Sequence, residues 1–198
     1  NFSIDVFTSL KTYGQTEIKY RLDYDAVKTF LGIRFNDLVT HSISLNGSPS
    51  ESFNFRASLD KGQDLSVNED IPEVGKLESA FLSLNFQVND NLIINPSLRY
   101  SKLERLNGGE NYFNGSIARI NLRYQFSNAF NVRLVSQKNT FTNQFFIQPL
   151  IQWNPNPSTI FYLGGNQNTI EEIEGAHFQL LQFNQTQFFF KFQYLIGL

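Results

Sequence analysis

Residues 187–198 read QFFFKFQYLIGL, and this closing stretch decides the fold. Phe188, Phe190, Phe192, Tyr194, Ile196 and Leu198 fall on one side; Gln187, Phe189, Lys191, Gln193, Leu195 and Gly197 fall on the other. A period of two belongs to a β-strand, whose successive side chains point to opposite faces. One face of this strand is continuously aromatic and aliphatic, and the other is mixed.

The same alternation recurs upstream. Ile18, Tyr20, Leu22 and Tyr24 oppose Glu17, Lys19, Arg21 and Asp23; Phe53, Phe55, Ala57 and Leu59 oppose Asn54, Arg56 and Ser58. Ala80, Leu82, Leu84, Phe86 and Val88 face away from Ser79, Ser83, Asn85 and Gln87. Ile120, Leu122, Tyr124 and Phe126 oppose Arg119, Asn121, Arg123 and Gln125, and Phe130, Val132 and Leu134 oppose Asn131, Arg133 and Gln137. Helices do not produce this pattern repeatedly.

Composition points the same way. The chain of 198 residues is 41% hydrophobic and 15% aromatic, with 21 Phe, yet only 17% charged. It lacks the run of ~18 apolar residues that a transmembrane helix requires, which leaves open a barrel whose lipid face occupies alternate positions. Cys is absent, which removes disulfides, thiolate metal sites and a Cys nucleophile. The net charge of −2 supplies no basic field for nucleic acid. Met is absent as well, so translation is expected to start upstream of Asn1. A signal peptide, a further domain or the first part of a larger barrel would then precede it.

Together these features predict an all-β chain forming a transmembrane antiparallel up-and-down β-barrel over residues 1–198, as in the bacterial outer membrane, or the C-terminal part of a longer barrel. Turn signals at Tyr13-Gly14, Asp23 to Asp25, Asn36-Asp37, Asn46 to Ser50, Asn89 to Asn91, Ser127-Asn128 and Asn154 to Pro157 divide it. About twelve strands of roughly 8 to 13 residues result, the length a tilted strand needs to cross a bilayer. They are placed near 2–10, 16–24, 27–35, 38–45, 51–59, 76–88, 92–103, 112–126, 129–138, 143–153, 158–166 and 185–198. With the C-terminus on the periplasmic side, most tight turns fall there too. The longer segments 60–75, 104–111 and 166–184 become external loops, the asymmetry expected of such barrels. Phe126, Phe130, Trp153, Phe86 and Tyr24 then lie near periplasmic turns, where an aromatic girdle belongs. Pro96 and Pro149 fall inside predicted strands; because Pro cannot donate to a ladder, each is expected at a bulge or strand end.

The order of features from about Ser48 onward (SPSESFNFRASLDKGQ, NLRYQFSNAFNVRLVSQ, PLIQWNPNPSTIFYLGGNQ and NQTQFFFKFQYLIGL) is similar to the C-terminal barrel half of an outer-membrane family of the Bacteroidota. Members of that family pair a module resembling family-9 carbohydrate-binding domains with a β-barrel. The specific pieces are Gln152-Trp153 followed by Pro157-Ser158 and Phe161, and Lys191 to Leu195 at the end. The resemblance covers about three quarters of the chain and implies a porin-like role in transport or a membrane anchor linked to glycan uptake. The 198 residues do not themselves contain a carbohydrate-binding module, so that module's activity is not carried over.

The predicted inner face carries Glu17, Lys19, Arg21, Asp23, Arg34, Arg56, Arg99, Arg119, Arg123, Arg133 and Lys191. Charges in such positions either line a selective pore or pack the lumen through Arg–carboxylate and Arg–Gln hydrogen bonds. Phe190, Phe192, Tyr194, Ile196 and Leu198 are expected, by resemblance, to form the signal read by the barrel-insertion machinery.

Catalytic and metal chemistry fare less well. Glu171, Glu172, Glu174 and His177 fit no ligand spacing, and Asp60, Asp64, Glu69, Asp70 and Glu73 fit no EF-hand. Both groups read as acidic external loops. His41 with Ser42 or Ser44 is the only local His–Ser option for hydrolysis. Gly14, Gly108-Gly109 and Gly164-Gly165 read as turn or bulge glycines. No cofactor, metal or catalytic residue is expected. The expected partners are outer-membrane lipid, the insertion machinery and, in an alternative accessory role, other subunits of an outer-membrane complex.

Overall fold

The computed structural model describes residues 2–12, 15–67, 69–172 and 180–196. Among them the chain is all-β, with eleven strands in one antiparallel sheet ordered strictly as in the sequence. This is the strand order of an up-and-down β-barrel. The strands are β1 (Phe2–Thr12), β2 (Thr16–Phe30), β3 (Ile33–Ser50), β4 (Phe53–Leu65), β5 (Val74–Gln87) and β6 (Leu92–Arg105). They are followed by β7 (Asn111–Ser127), β8 (Phe130–Asn139), β9 (Gln144–Asn156), β10 (Thr159–Glu172) and β11 (Leu180–Tyr194). Contacts divide the chain into two units, residues 1–84 with 98–116, and residues 85–97 with 117–198.

In the first unit, two strands replace three expected ones. The segments 16–24, 27–35 and 38–45 form β2 and β3, which turn at Leu31 and Gly32 with φ of 49° and 80°. Positive φ at both central residues is the two-residue hairpin geometry that suits the twist of the flanking strands, and Gly32 adopts it without a Cβ clash. The acidic run that looked like a turn instead continues the ladder, Asp23 pairing with Thr40 and Asp25 with Leu38. Asp37 takes a φ of 59° within β3 without shifting the β2–β3 register, an αL excursion that Asp tolerates better than most residues. Phe35 and Leu38, on either side of it, lie in one buried cluster with Leu65, against which Phe30 and Val74 pack. This cluster sits at the end where 31–32 and 66–73 connect strands. The predicted turn at Asn46 to Ser50 moves to 51–52, because β3 runs through Ser50. The connection 66–73 is closed by Ser66 N donating to Glu73 O at 2.9 Å and Glu73 N donating to Ser66 Oγ at 3.0 Å.

In the second unit the turns at 88–91 and 128–129 fall within a residue of where the sequence places them, whereas the turn expected at Asn154 to Pro157 moves to 157–158, because β9 runs through Asn156. The expected loop 166–184 does not: β10 and β11 pair from Thr159↔Tyr194 to Glu172↔Leu180, with one irregularity at Asn168/Thr169. Only 173–179 lies beyond the strands, outside the described residues. Asn166 to Glu172 are strand residues despite a composition that resembles a loop.

Pro149 is neither at a strand end nor at a bulge. It pairs with Leu134 of β8, while the β9–β10 ladder keeps its register but lapses opposite Pro149, between Gly164↔Leu150 and Gln167↔Ile147. A residue without an N–H interrupts one ladder and leaves the other intact. Pro96 likewise lies within β6 rather than at its end. Gly164 and Gly165 are mid-strand, not turn residues. A Cβ on Gly164 would meet the Phe189 ring at 2.6 Å, and one on Gly165 would meet Phe188 at 3.0 Å. Gly108 and Gly109, with φ of 72° and 126°, are turn glycines as expected.

Candidate functional site

Residues opposite one another in a ladder share a face. In the first unit the register therefore assembles a polar surface from β1 to β4. Asp5, Phe7, Ser9 and Lys11 lie opposite Asp23, Arg21, Lys19 and Glu17. These continue to Thr40, Ser42, Ser44 and Asn46, and then to Gly62, Asp60, Ser58 and Arg56. Ion pairs knit it together: Lys19 Nζ lies 3.0 Å from Glu17, and Arg21 Nε 3.6 Å from Asp23. Arg56 Nε donates to Asn46 Oδ1 at 3.1 Å, and Ser79 Oγ donates to Asp60 at 2.6 Å. Lys19, Arg21, Ser42, Ser44, Ser58 and Asp60 border a hollow of about 510 Å³. Arg99 stacks 5.4 Å from the Phe81 ring centroid. Arg34 pairs with Thr29 beside the 31–32 hairpin, at the margin of this surface.

Asp60 illustrates what the sequence reading missed. It was assigned to an external loop, whereas β4 extends to Leu65 and Asp60 continues the row Arg56, Ser58. Extending the alternation two residues further would have found it.

The second unit builds its polar surface differently. Arg119, Asn121, Arg123 and Gln125 of β7 oppose Gln137, Val135, Arg133 and Asn131 of β8. The row continues through Phe146, Gln148, Leu150 and Gln152 of β9 to Tyr162, Gly164 and Asn166 of β10. It ends at Lys191, Phe189 and Gln187 of β11, with Lys191 Nζ 5.7 Å from the Tyr162 ring centroid. Among the described residues no ion pair joins Arg119, Arg123 or Arg133 to a carboxylate. Asn95 Nδ2 donates to Asn85 Oδ1 at 2.7 Å beside a hollow of about 400 Å³ that Asn121, Arg123 and Arg133 also border.

The opposite face is apolar and exposed in both units, with Leu59 60%, Leu163 53%, Phe190 66% and Phe192 53% accessible. In the second unit it is aromatic. Phe161 lies 5.2 Å from Trp153, 5.1 Å from Phe192 and 6.2 Å from Phe190 between ring centroids, and Phe126 lies 5.3 Å from Phe130. These rings gather near the 128–129 and 157–158 turns, where the girdle was expected. Tyr24 does not, because with the hairpin moved to 31–32 it lies mid-strand, its hydroxyl donating to Asp37. Of the terminal aromatic row, Phe190, Phe192 and Tyr194 belong to β11, Ile196 follows it and is exposed, and Leu198 lies outside the described residues.

His41 lies on the apolar face, pairing with Leu22 and Lys61, with its Nδ1 2.7 Å from the Tyr20 hydroxyl. Ser42 and Ser44 point to the other face, so strand geometry separates His41 from both. Among the described residues no three His, Asp or Glu side chains gather as a metal site. Asp64 lies 3.8 Å from Lys28, and Glu73 accepts from the Tyr112 hydroxyl with Arg105 at 3.8 Å. Glu174 and His177 lie outside the described residues, and of Glu171 and Glu172 only the backbone in β10 is described.

No family model and no curated protein matches the chain. Among solved structures a NanC porin is similar, with 9% identity and a TM-score of 0.40 over 98% of this chain and 93% of that one.

Proposed function

We propose that this chain is the wall of a bacterial outer-membrane β-barrel without catalytic activity, a conduit or membrane anchor serving the uptake of glycans or other solutes. One observation carries the reading: each unit presents an exposed, largely apolar face backed by a face that holds most of its polar and charged strand residues. Among the described residues the buried hydrophobic side chains are only Phe35, Leu38, Leu65, Leu103 and Val135, while Ile43, Leu59, Leu163, Phe188 and Phe190 stay exposed. Water-soluble proteins rarely expose continuous apolar surface on this scale, whereas a bilayer supplies the missing apolar solvent.

The strands also outrun the membrane. At ~3.4 Å per residue a strand as long as β3 exceeds the apolar band of about 25 Å. On the apolar face of the first unit, polar contacts appear towards the 66–73 end. His41 meets Tyr20, and Lys61 Nζ lies 3.0 Å from Glu78. The terminal row Phe190, Phe192 and Tyr194 engages the barrel-insertion machinery.

The alternative, an accessory barrel docked on a larger complex, drew on a long acidic loop at 166–184. Most of that segment is β10 and β11, so the conduit is preferred. The test reconstitutes the full chain into liposomes and follows the flux of potassium chloride and a disaccharide. Permeability above protein-free vesicles is expected; vesicles tight to both would end the conduit reading and leave the anchor.

A further inference from the structure

We infer that Arg123 and Arg133 form a binding site for a solute oxyanion, a carboxylate or phosphate group, on the polar surface of the second unit. The inference rests on the conduit reading for its physiological use, since such a site serves a solute passing along that surface.

The two arginines are directly opposite in the β7–β8 ladder. Directly opposed residues on one face have Cβ atoms about 4.5–5.5 Å apart, and like charges there oppose pairing. A strand pair selected for stability alone would place an acid or an amide at one of these positions, as the same ladder does at Arg119↔Gln137.

The surroundings leave the charge uncompensated. The neighbours on this face are Asn121, Val135, Gln125 and Asn131, with Leu150 opposite Arg133 on β9. The described acidic residues of the unit lie elsewhere, Asp90 in the 88–91 turn and Glu171 and Glu172 at the end of β10. Both arginines are exposed, and their hollow of about 400 Å³ is within the range of small-molecule sites. Two guanidinium forks facing one space match the geometry of a single oxyanion bridged between them. The amides of Asn85, Asn95 and Asn121 border the same space and can bond to the rest of the solute.

The experiment uses the full chain, isotopically labelled and refolded in detergent micelles. Its arginine Nε–H signals are followed by NMR as inorganic phosphate replaces chloride at fixed ionic strength. The Arg123 and Arg133 signals are expected to shift saturably, and Arg133→Gln to weaken the response by about tenfold or more, the loss of one charge-assisted fork. Lys61→Ala, on the apolar face of the first unit, should leave it unchanged. Arg133→Glu separates function from structure: it creates an ion pair with Arg123, so the folded protein should be at least as heat-resistant while the phosphate response disappears. A shift that rises linearly without saturation, or survives Arg133→Gln, overturns the site. So does loss of folding in both Arg133 variants, which would make the pair structural. Saturable binding in a chain that leaves liposomes tight sinks the conduit and keeps the site; a conducting chain without saturable binding does the reverse.

Discussion

The two units share one backbone plan and solve the problem of a polar surface in different ways. In the first, acids and bases are interspersed along β2, so Glu17 meets Lys19 and Asp23 meets Arg21, although across the ladder Asp23 faces Asp5. In the second, arginines stand among amides and aromatics, with Arg123 facing Arg133. The backs of the two surfaces differ as well. Behind the first unit the apolar face gives way to His41, Lys61 and Glu78, whereas behind the second the stack Trp153, Phe161 and Phe192 leads to the last strand. Alternation dictates the faces, but residue choice within a face decides whether its charge is spent internally or left for a solute.

The largest effects should come from reversing a face, and they should be equal in the two units if both meet lipid. Leu163→Arg and Ile43→Arg each place a charge on the apolar face. Near the bilayer midplane this costs about 2–4 kcal/mol. Tyr162→Arg and Ser44→Arg, one residue away on the polar face, should cost much less, roughly the 0.2–1 kcal/mol of facing Lys191 and Lys19. Urea unfolding in lipid vesicles measures all four. A cost at Leu163 without one at Ile43 would confine the lipid-facing surface to the second unit.

Next come the glycines, where the units agree. Gly47 pairs with Phe55 and Gly164 with Phe189, and an added Cβ would lie 2.6 Å from the facing ring in each case. An aromatic ring laid across a cross-strand glycine fixes register on a surface with few other steric markers. Gly47→Ala and Gly164→Ala should each cost about 1–3 kcal/mol through overpacking. Shortening the partner, Phe55→Leu or Phe189→Leu, should recover part of that loss. Additive double mutants would show that the ring contact is not the cause.

How much of this could be read from the residues depended on the physical signal. Period-two alternation is strong and local, so the strands near 92–103, 112–126, 129–138 and 143–153 emerged close to their observed limits. Turn chemistry misled where acids and amides serve a polar face. Asp23, Asp25 and Asn36 lie within ladders, and Leu31-Gly32, with one weak turn former, is the actual hairpin. The segment 166–184 failed for the same reason, because its run of amides and acids, Asn166 to Asn168 and Glu171-Glu172, is turn chemistry by composition yet lies in β10. The charged rows on β2 and β7 were legible, but which arginine faces which residue was not. That Arg123 opposes Arg133 while Arg56 reaches Asn46 depends on register, which alternation leaves undetermined.

Register also sets the smallest and most discriminating effects, because it predicts opposite signs for the same substitution. Arg21→Gln removes the cation beside Asp23, which lies opposite Asp5, and leaves two acids facing each other. Arg133→Gln removes one of two cations facing each other. Cross-strand pairs of this kind are worth roughly 0.2–1 kcal/mol, and exposure of these side chains favours the low end. The first variant should lower the unfolding midpoint and the second should raise it, both effects shrinking as salt rises from ~0.05 to 1 M. Lys61→Ala, which breaks a pair that is 81% and 49% exposed, is the baseline and should change stability by less than about 0.5 kcal/mol. Equal signs at Arg21 and Arg133 would mean that the two surfaces are compensated alike. The contrast between a surface satisfied by its own charges and one open to a solute anion would then fail at its most specific point.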